Sequence, residues 1–272
     1  MKKRRSIVAA LAIAILLSGA APAQDAPMSR TAKSAPQASD PVADAAQSGD
    51  AVITAMHAKY LGAWFATARF AQKTTTYAAS GTPTVENWYE RIAVPGKLRI
   101  DVGPKKDGNA TIFTGGQMYA FKNGVRAQSQ AFVSLALVLA FDVYRQPPEV
   151  TIAQLKQEGV DTAKVHADVW EGRPAYVIGA DRGDPAAKQV WIDTERLVVV
   201  RMILPSQRAP GEPSDVRFLD FRAVPRGWIA ARIDVYRRNH LVMSEEYSDI
   251  ETDVPLDAAW FDPSKLTTPA ER

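Results

Sequence analysis

Residues 216–250 read VRFLDFRAVPRGWIAARIDVYRRNHLVMSEEYSDI. Three runs rich in β-branched and aromatic side chains, 216–224, 228–237 and 241–250, are separated only by Pro225-Arg226-Gly227 and by Arg238 with Asn239-His240. Turns this short join antiparallel neighbours, because a parallel pair needs a crossover of about a dozen residues or more. The stretch therefore predicts an antiparallel meander. The same grammar continues upstream: 165–170 and 175–181 flank Glu171-Gly172-Arg173-Pro174, and 189–193 and 197–204 flank Thr194-Glu195-Arg196. Further upstream, 65–77 runs into the turn signal Ser80-Gly81-Thr82-Pro83, and 85–94 breaks at Pro95-Gly96. In 98–102, Leu98, Ile100 and Val102 alternate with Arg99 and Asp101, and 110–113 and 118–121 form a hairpin around Gly115-Gly116.

Helical spacing interrupts this pattern in three places. Val52, Ile53, Met56, Tyr60 and Leu61 predict a helix over 50–62 capped by Asp50. The run 131–144, AFVSLALVLAFDVY, is apolar on nearly every side, so as a helix it must be buried or cover something apolar. Pro147-Pro148 ends it, and 150–159 reads as a short amphipathic helix. Ten or so strands and a few helices predict an α+β fold: one large curved antiparallel sheet, an unclosed half-barrel, wrapped on helices. No repeat or second linker divides it, so residues 49–266 are expected to form a single domain, with a tail at 267–272.

Ahead of that domain stand two segments of different character. Lys2-Lys3-Arg4-Arg5, an apolar run over 7–17 and the small-residue site Ala21-Pro22-Ala23 have the three parts of a secretory signal peptide, with cleavage expected after Ala23. The apolar run falls well short of the roughly 20 residues that span a bilayer. Residues 24–48 are mostly Ala, Pro, Ser, Gln and Asp, a composition that cannot offset its ordering entropy by burial, and read as a disordered tether. The expected location is the periplasm. The full chain carries 33 Lys+Arg against 30 Asp+Glu. Removing the four basic residues of 1–23 leaves 29 against 30, a balance of −1, so no nucleic-acid partner is indicated.

The chemistry-bearing residues are sparse. Zero cysteines exclude disulfides, thiolate metal sites and thiol nucleophiles, and three scattered histidines (His57, His166, His240) make no zinc site. The nucleophile-elbow, zincin, P-loop and dinucleotide motifs are all missing from the sequence, so no catalytic residue, metal or cofactor is expected. Glu245, Glu246, Asp249 and Glu251 lie along one strand and read as a solvated sheet edge; Asp193-Thr194-Glu195-Arg196 reads as a hairpin turn. Aromatic and methionine side chains recur on nearly every strand, among them Trp64, Trp88, Trp191, Trp228, Phe218 and Met243. Such a face makes either a packed core or the lining of a hydrophobic cavity.

The order of elements, with WYERIAVPGKLRID at 88–101, IFTGGQMYAFKNG at 112–124, VWIDTERLVVVRMIL at 190–204 and a closing AAWFDPSKL at 258–266, resembles the outer-membrane lipoprotein-sorting superfamily of LolA- and RseB-like proteins over about residues 50–266. The resemblance implies a half-barrel whose concave face holds acyl chains. It also implies a lid locked by an arginine before the proline of the Pro-x-x-Leu-Arg strand; here Val94 stands in that place, with Arg91 and Arg99 the nearest substitutes. The expected function is non-enzymatic, carrier-like binding of an acyl chain, lipid or lipoprotein. The candidate lining is Trp88, Ile100, Phe113, Phe132, Leu135, Leu139, Trp191 and Met202, with 131–144 as cover. The alternatives are a sensor or interaction module of the same fold that engages an inner- or outer-membrane protein and, less favoured, an envelope hydrolase.

Overall fold

A computed structural model describes residues 47–78, 81–204 and 212–266. The expected signal peptide, most of the tether and the tail lie outside the described residues. A single antiparallel sheet of thirteen strands runs through the rest. Six strands precede a long crossover: β1 (Thr67–Thr76), β2 (Thr84–Ala93), β3 (Lys97–Val102), β4 (Ala110–Thr114), β5 (Gln117–Lys122) and β6 (Val125–Ala131). Seven follow it: β7 (Val165–Trp170), β8 (Arg173–Ile178), β9 (Gln189–Asp193), β10 (Val199–Leu204), β11 (Ser214–Val224), β12 (Gly227–Arg237) and β13 (His240–Thr252). The spatial order is β6-β5-β4-β3-β2-β1-β13-β12-β11-β10-β9-β8-β7. Two meanders thus meet where β1 pairs with β13, and β6 and β7 are left as the open edges.

The strand count exceeds the expected ten. The one strand with no counterpart in the sequence reading is β6, VRAQSQA, which has no apolar alternation because nearly all of it is exposed at the sheet edge. It also shortens the expected helix 131–144. Ala131 is still paired with Gln117, and Phe132 N–H donates to the Gly116 carbonyl at 3.0 Å. The helix itself, α2, spans only Leu135–Ala140. Ser134 caps it by accepting from Leu137 N–H at 3.2 Å, and at Phe141 the backbone leaves the helical region before a 3-10 turn at Asp142–Tyr144. Helix α1 (Gly49–Tyr60) is capped by Ser48 rather than Asp50, its hydroxyl accepting from Ala51 N–H at 3.1 Å. Helix α3 spans Pro148–Gln157.

Register shifts interrupt the β1/β13, β12/β13, β9/β10 and β5/β6 ladders. Bulges of this kind add local bend and twist, which curls a long sheet. Its concave face buries Ile53 and Met56 of α1, Leu137 and Leu139 of α2 and Leu155 of α3 in one apolar cluster with the strands. No helix among the described residues is long and apolar enough to cross a membrane.

At the β11–β12 turn, Gly227 adopts φ +110°, and a Cβ there would lie 2.5 Å from Trp64 Cε3. The same turn receives Phe65 N–H on the Arg226 carbonyl at 3.1 Å, so it sets where Trp64 enters the core. Gly227→Ala is expected to cost about 2 kcal/mol or more, read as a lower urea midpoint at unchanged slope.

Candidate functional site: a cavity under helix α2

Strand alternation brings Trp88, Glu90 and Ile92 of β2 to the concave face, opposite Gln72, Phe70 and Ala68 of β1. Ile100 of β3 lies across from Glu90. From the second meander come Phe218, Ile233 and Tyr247. Ser134, Ala136, Leu137 and Ala140 of the α2 segment close over them, with Phe141, Tyr144 and Trp64 at one end. The enclosed space is about 70 Å³, below the roughly 300 Å³ at which pockets take whole small molecules. A second cavity of about 70 Å³ lies on the other flank of α2, lined by Gly96, Phe113, Phe132, Val138 and Asp142 among others. The two spaces thus flank one short helix whose residues Leu135–Leu139 are themselves buried.

The expected lining residues separate. Trp88, Ile100 and Phe113 line the main cavity; Phe132 lines the second one, its ring 5.6 Å from that of Phe113. Leu135 and Leu139, four residues apart and so on one helix face, are buried beside the cavity rather than in its wall, and Leu137, Ala136 and Ala140 take that place. Met202 is buried on the concave side without reaching the cavity. Trp191 belongs to the other face of the sheet: it pairs with Arg201, whose guanidinium lies 5.0 Å from its ring, and its indole N–H donates to Gln189 at 2.9 Å.

The expected substitutes for a lid-locking arginine are likewise elsewhere. Arg91 and Arg99 bind Asp101 at 2.9 and 2.7 Å and stack on Trp260 at 4.0 and 4.8 Å, on the face away from α2. The tie that holds the lid is a carboxylate. Asp142 Oδ1 accepts from Gly96 N–H at 2.9 Å, joining the exit of α2 to the Pro95-Gly96 turn. Beyond it the chain is anchored firmly: His57 Nδ1 donates to the Val143 carbonyl at 3.2 Å, Tyr144 Oη to Leu197 at 3.2 Å, and Arg145 to the Trp64 carbonyl at 2.7 Å. The segment from the Phe132–Gly116 bond to the Asp142–Gly96 bond is short and carries α2.

Two buried acids sit in this region, and the strand carrying one of them is no solvated edge. Strand β13 lies between β1 and β12, and although Glu246, Asp249 and Glu251 are exposed, Glu245 is 0 % exposed. Its Oε2 accepts from Tyr247 Oη at 2.8 Å, while its Oε1 has no partner. Burial pushes Glu245 up to about 7 against the pull of Tyr247 and Gln72. Glu90, in the cavity wall and 6 % exposed, is raised well above the carboxylate range by burial and by the charge of Glu245. By contrast, Asp193 in the β9–β10 turn is held down at about 2 despite its burial by Arg173 at 2.7 Å and Arg196 at 3.1 Å, with backbone N–H groups adding to the cage. No group of three His, Cys, Asp or Glu side chains is placed to hold a metal among the described residues.

The period-two rule contained a signal for Glu90 and Glu245. Each alternates with inward residues of its own strand, Trp88 and Ile92 in one case, Met243 and Tyr247 in the other. Asp142 had no such signal, because its burial depends on a turn 46 residues away.

No protein-family model matches the chain, and no curated protein matches it in sequence. Solved structures do match in fold. An outer-membrane lipoprotein-sorting protein domain from Vibrio parahaemolyticus is 11% identical over 80% of this chain and 97% of its own, with a TM-score of 0.57. A DUF1329 family protein from Desulfovibrio piger is 14% identical over 84% and 100%, with a TM-score of 0.54. A LolA superfamily protein from Nitrosomonas europaea is 14% identical over 77% and 97%, with a TM-score of 0.50. The chain has a LolA-like fold; at these identities the likeness carries no function.

Burial raises Asp142 to about 7 against the opposing Gly96 hydrogen bond. The folded protein therefore holds a proton there that the unfolded chain gives up near pH 4. The stability this confers is full below that pH, falls as pH rises toward 7, and is level above. Asp142→Asn keeps an oxygen for Gly96 N–H but does not charge. Its expected effect is to remove roughly 2–3 kcal/mol of the stability lost between pH 5 and pH 8, measured by thermal unfolding at both pH values.

Proposed function

We propose that this protein is a non-enzymatic, carrier-like component of the periplasm that binds the hydrocarbon of an acyl chain, lipid or lipoprotein in the concavity beneath α2. The observation that carries the reading is the cover: a six-residue apolar helix with space on both sides, flanked by one backbone bond at Phe132 and one side-chain bond at Asp142, lying over an aromatic-lined wall. A helix that served only as core would be packed without such gaps. Burial of each methylene contributes roughly 0.8 kcal/mol, so a long alkyl chain replaces apolar contacts that α2 gives up as it moves. The LolA-like fold and the basic-apolar-small start of the sequence are consistent with such a role and with secretion across an inner membrane.

Native mass spectrometry of the protein purified without detergent from its own host tests this directly. A discrete added mass that extracts as lipid or acylated peptide is the expected result. A clean mass, together with no uptake of a fluorescent fatty-acid probe, would overturn the proposal. Leu137 faces the cavity from the lid, so Leu137→Asp places a charge in the apolar wall and is expected to weaken probe binding about tenfold or more. Leu137→Trp, which fills the space without adding charge, should weaken it too. Val169→Asp, at an exposed position on the edge strand β7, should leave binding and circular dichroism unchanged.

A further inference from the structure

A carboxyl group is an odd lining for a space built of hydrocarbon. Glu90 stands between Phe70 across one ladder and Ile100 across the other, and no hydrogen-bond donor reaches its carboxyl among the described residues. No Lys, Arg or His lines the cavity. The guanidinium groups nearest in sequence, Arg91 and Arg99, are spent on Asp101 on the opposite face. We propose that Glu90, with the rings of Phe70, Trp88 and Tyr247, is a head-group subsite for an amphiphile that ends in a protonated amine, and that it disfavours chains ending in carboxylate or phosphate. The subsite rests on the hydrophobic-ligand reading of the same cavity and names the chemistry of the ligand's polar end.

Three features select this end group. First, the polar groups left without partners in the cavity wall are the Glu90 carboxyl and the indole N–H groups of Trp64 and Trp88, and of these only Glu90 can carry a charge; Glu245 Oε1 and Gln72 Oε1 are also buried without partners on the neighbouring strands. Tyr247 Oη is already committed to Glu245, and Gln72 Nε2 to Thr74 Oγ1 at 2.8 Å. The one unpartnered group here that can carry a charge is an acid, so the charged end that pairs with it is a cation. Second, the acids lie on the two strands that flank β1, so ionisation of one opposes ionisation of the other; a cation at Glu90 relieves that opposition and an anion adds to it. Third, the rings beside Glu90 present π faces; Phe70 and Tyr247 are stacked with centroids 4.5 Å apart. An ammonium held by a carboxylate beside aromatic rings gains from both in a site that excludes water.

Burial favours the protonated form of Glu90, so an ammonium ion that takes it as a carboxylate displaces its proton to solvent and leaves it accepting an N–H. The other titratable groups facing it are Glu245 and Tyr247 of β13; β1 presents Phe70, Gln72 and Thr74, β3 presents Ile100, and α2 presents Leu137 and Ala140.

The test is a head-group series on one chain length. Dodecylamine, dodecanol and dodecanoate, each below its micelle concentration, compete with a fluorescent apolar probe on the purified protein at neutral pH. The amine is expected to bind about tenfold or more tightly than the alcohol, and the alcohol more tightly than the carboxylate. Calorimetry in two buffers of different ionisation enthalpy should count about one proton released per amine bound and none for the alcohol. Glu90→Gln, nearly the same size, should abolish the amine's advantage while leaving the alcohol unchanged. An amine no better than the alcohol, a carboxylate equal to the amine, or an advantage that survives in Glu90→Gln would each overturn the subsite. If the variant does not fold, the wild-type series and the proton count decide by themselves. Failure of every chain to compete would instead bring down the hydrophobic-ligand reading, and the subsite with it.

Discussion

An open sheet has one face that its own strands cannot cover. Thirteen strands curl without closing, so the concave side exposes Trp88, Phe113, Phe218 and Ile233 unless something else lies against them. The topology dictates what that is. The first meander ends at β6 on one edge and the second begins at β7 on the other, so the connection between them must cross the full width of the sheet. That crossover carries α2, the 3-10 turn and α3 over the concave face. Core, lid and cavity are therefore consequences of one route taken by residues 132–164.

The crossover is held unevenly, and this gives the site its character. Around Val143–Arg145 the chain is fixed by His57 on the Val143 carbonyl and by the Tyr144 and Arg145 side chains on the Leu197 and Trp64 carbonyls, and Tyr144 stacks on Trp64 at 3.7 Å. Across α2 the polar ties shrink to one at each end. Where an arginine lock was expected, this chain has a buried carboxyl group on a backbone amide at Gly96. A latch of that kind depends on the protonation of one acid, which an arginine latch does not.

Most of the sheet was legible because half-buried strands alternate and tight turns announce themselves: 216–250 contains β12 and most of β11 and β13 within a residue or two of their ends. What escaped did so for physical reasons. Strand β6 is exposed on both faces and pairs only through its backbone, so VRAQSQA carries no periodic trace. The stretch AFVSLALVLAFDVY is uniformly apolar because it is covered on nearly all sides, and uniform burial hides where strand, helix and turn divide it. The lining of the cavity was legible on the strands, at Trp88, Ile100 and Phe113, where alternation assigns a face. On the helix it was not: an all-apolar segment does not say that Leu137 rather than Leu135 or Leu139 looks inward. Glu245 was misjudged by grouping it with Glu246, Asp249 and Glu251, when adjacent residues on a strand point opposite ways.

The seam between β1 and β13 has a kinetic meaning. Arg69 grips Glu251 across it, 182 residues apart, and Lys73 reaches Glu246. During synthesis β1 waits with one bare edge until the last strand of the sheet emerges, and neither meander can complete its shared interior before then. Contacts of such sequence separation are the slow step in folding. A chain of this design cannot close its sheet until nearly all of its strands are available.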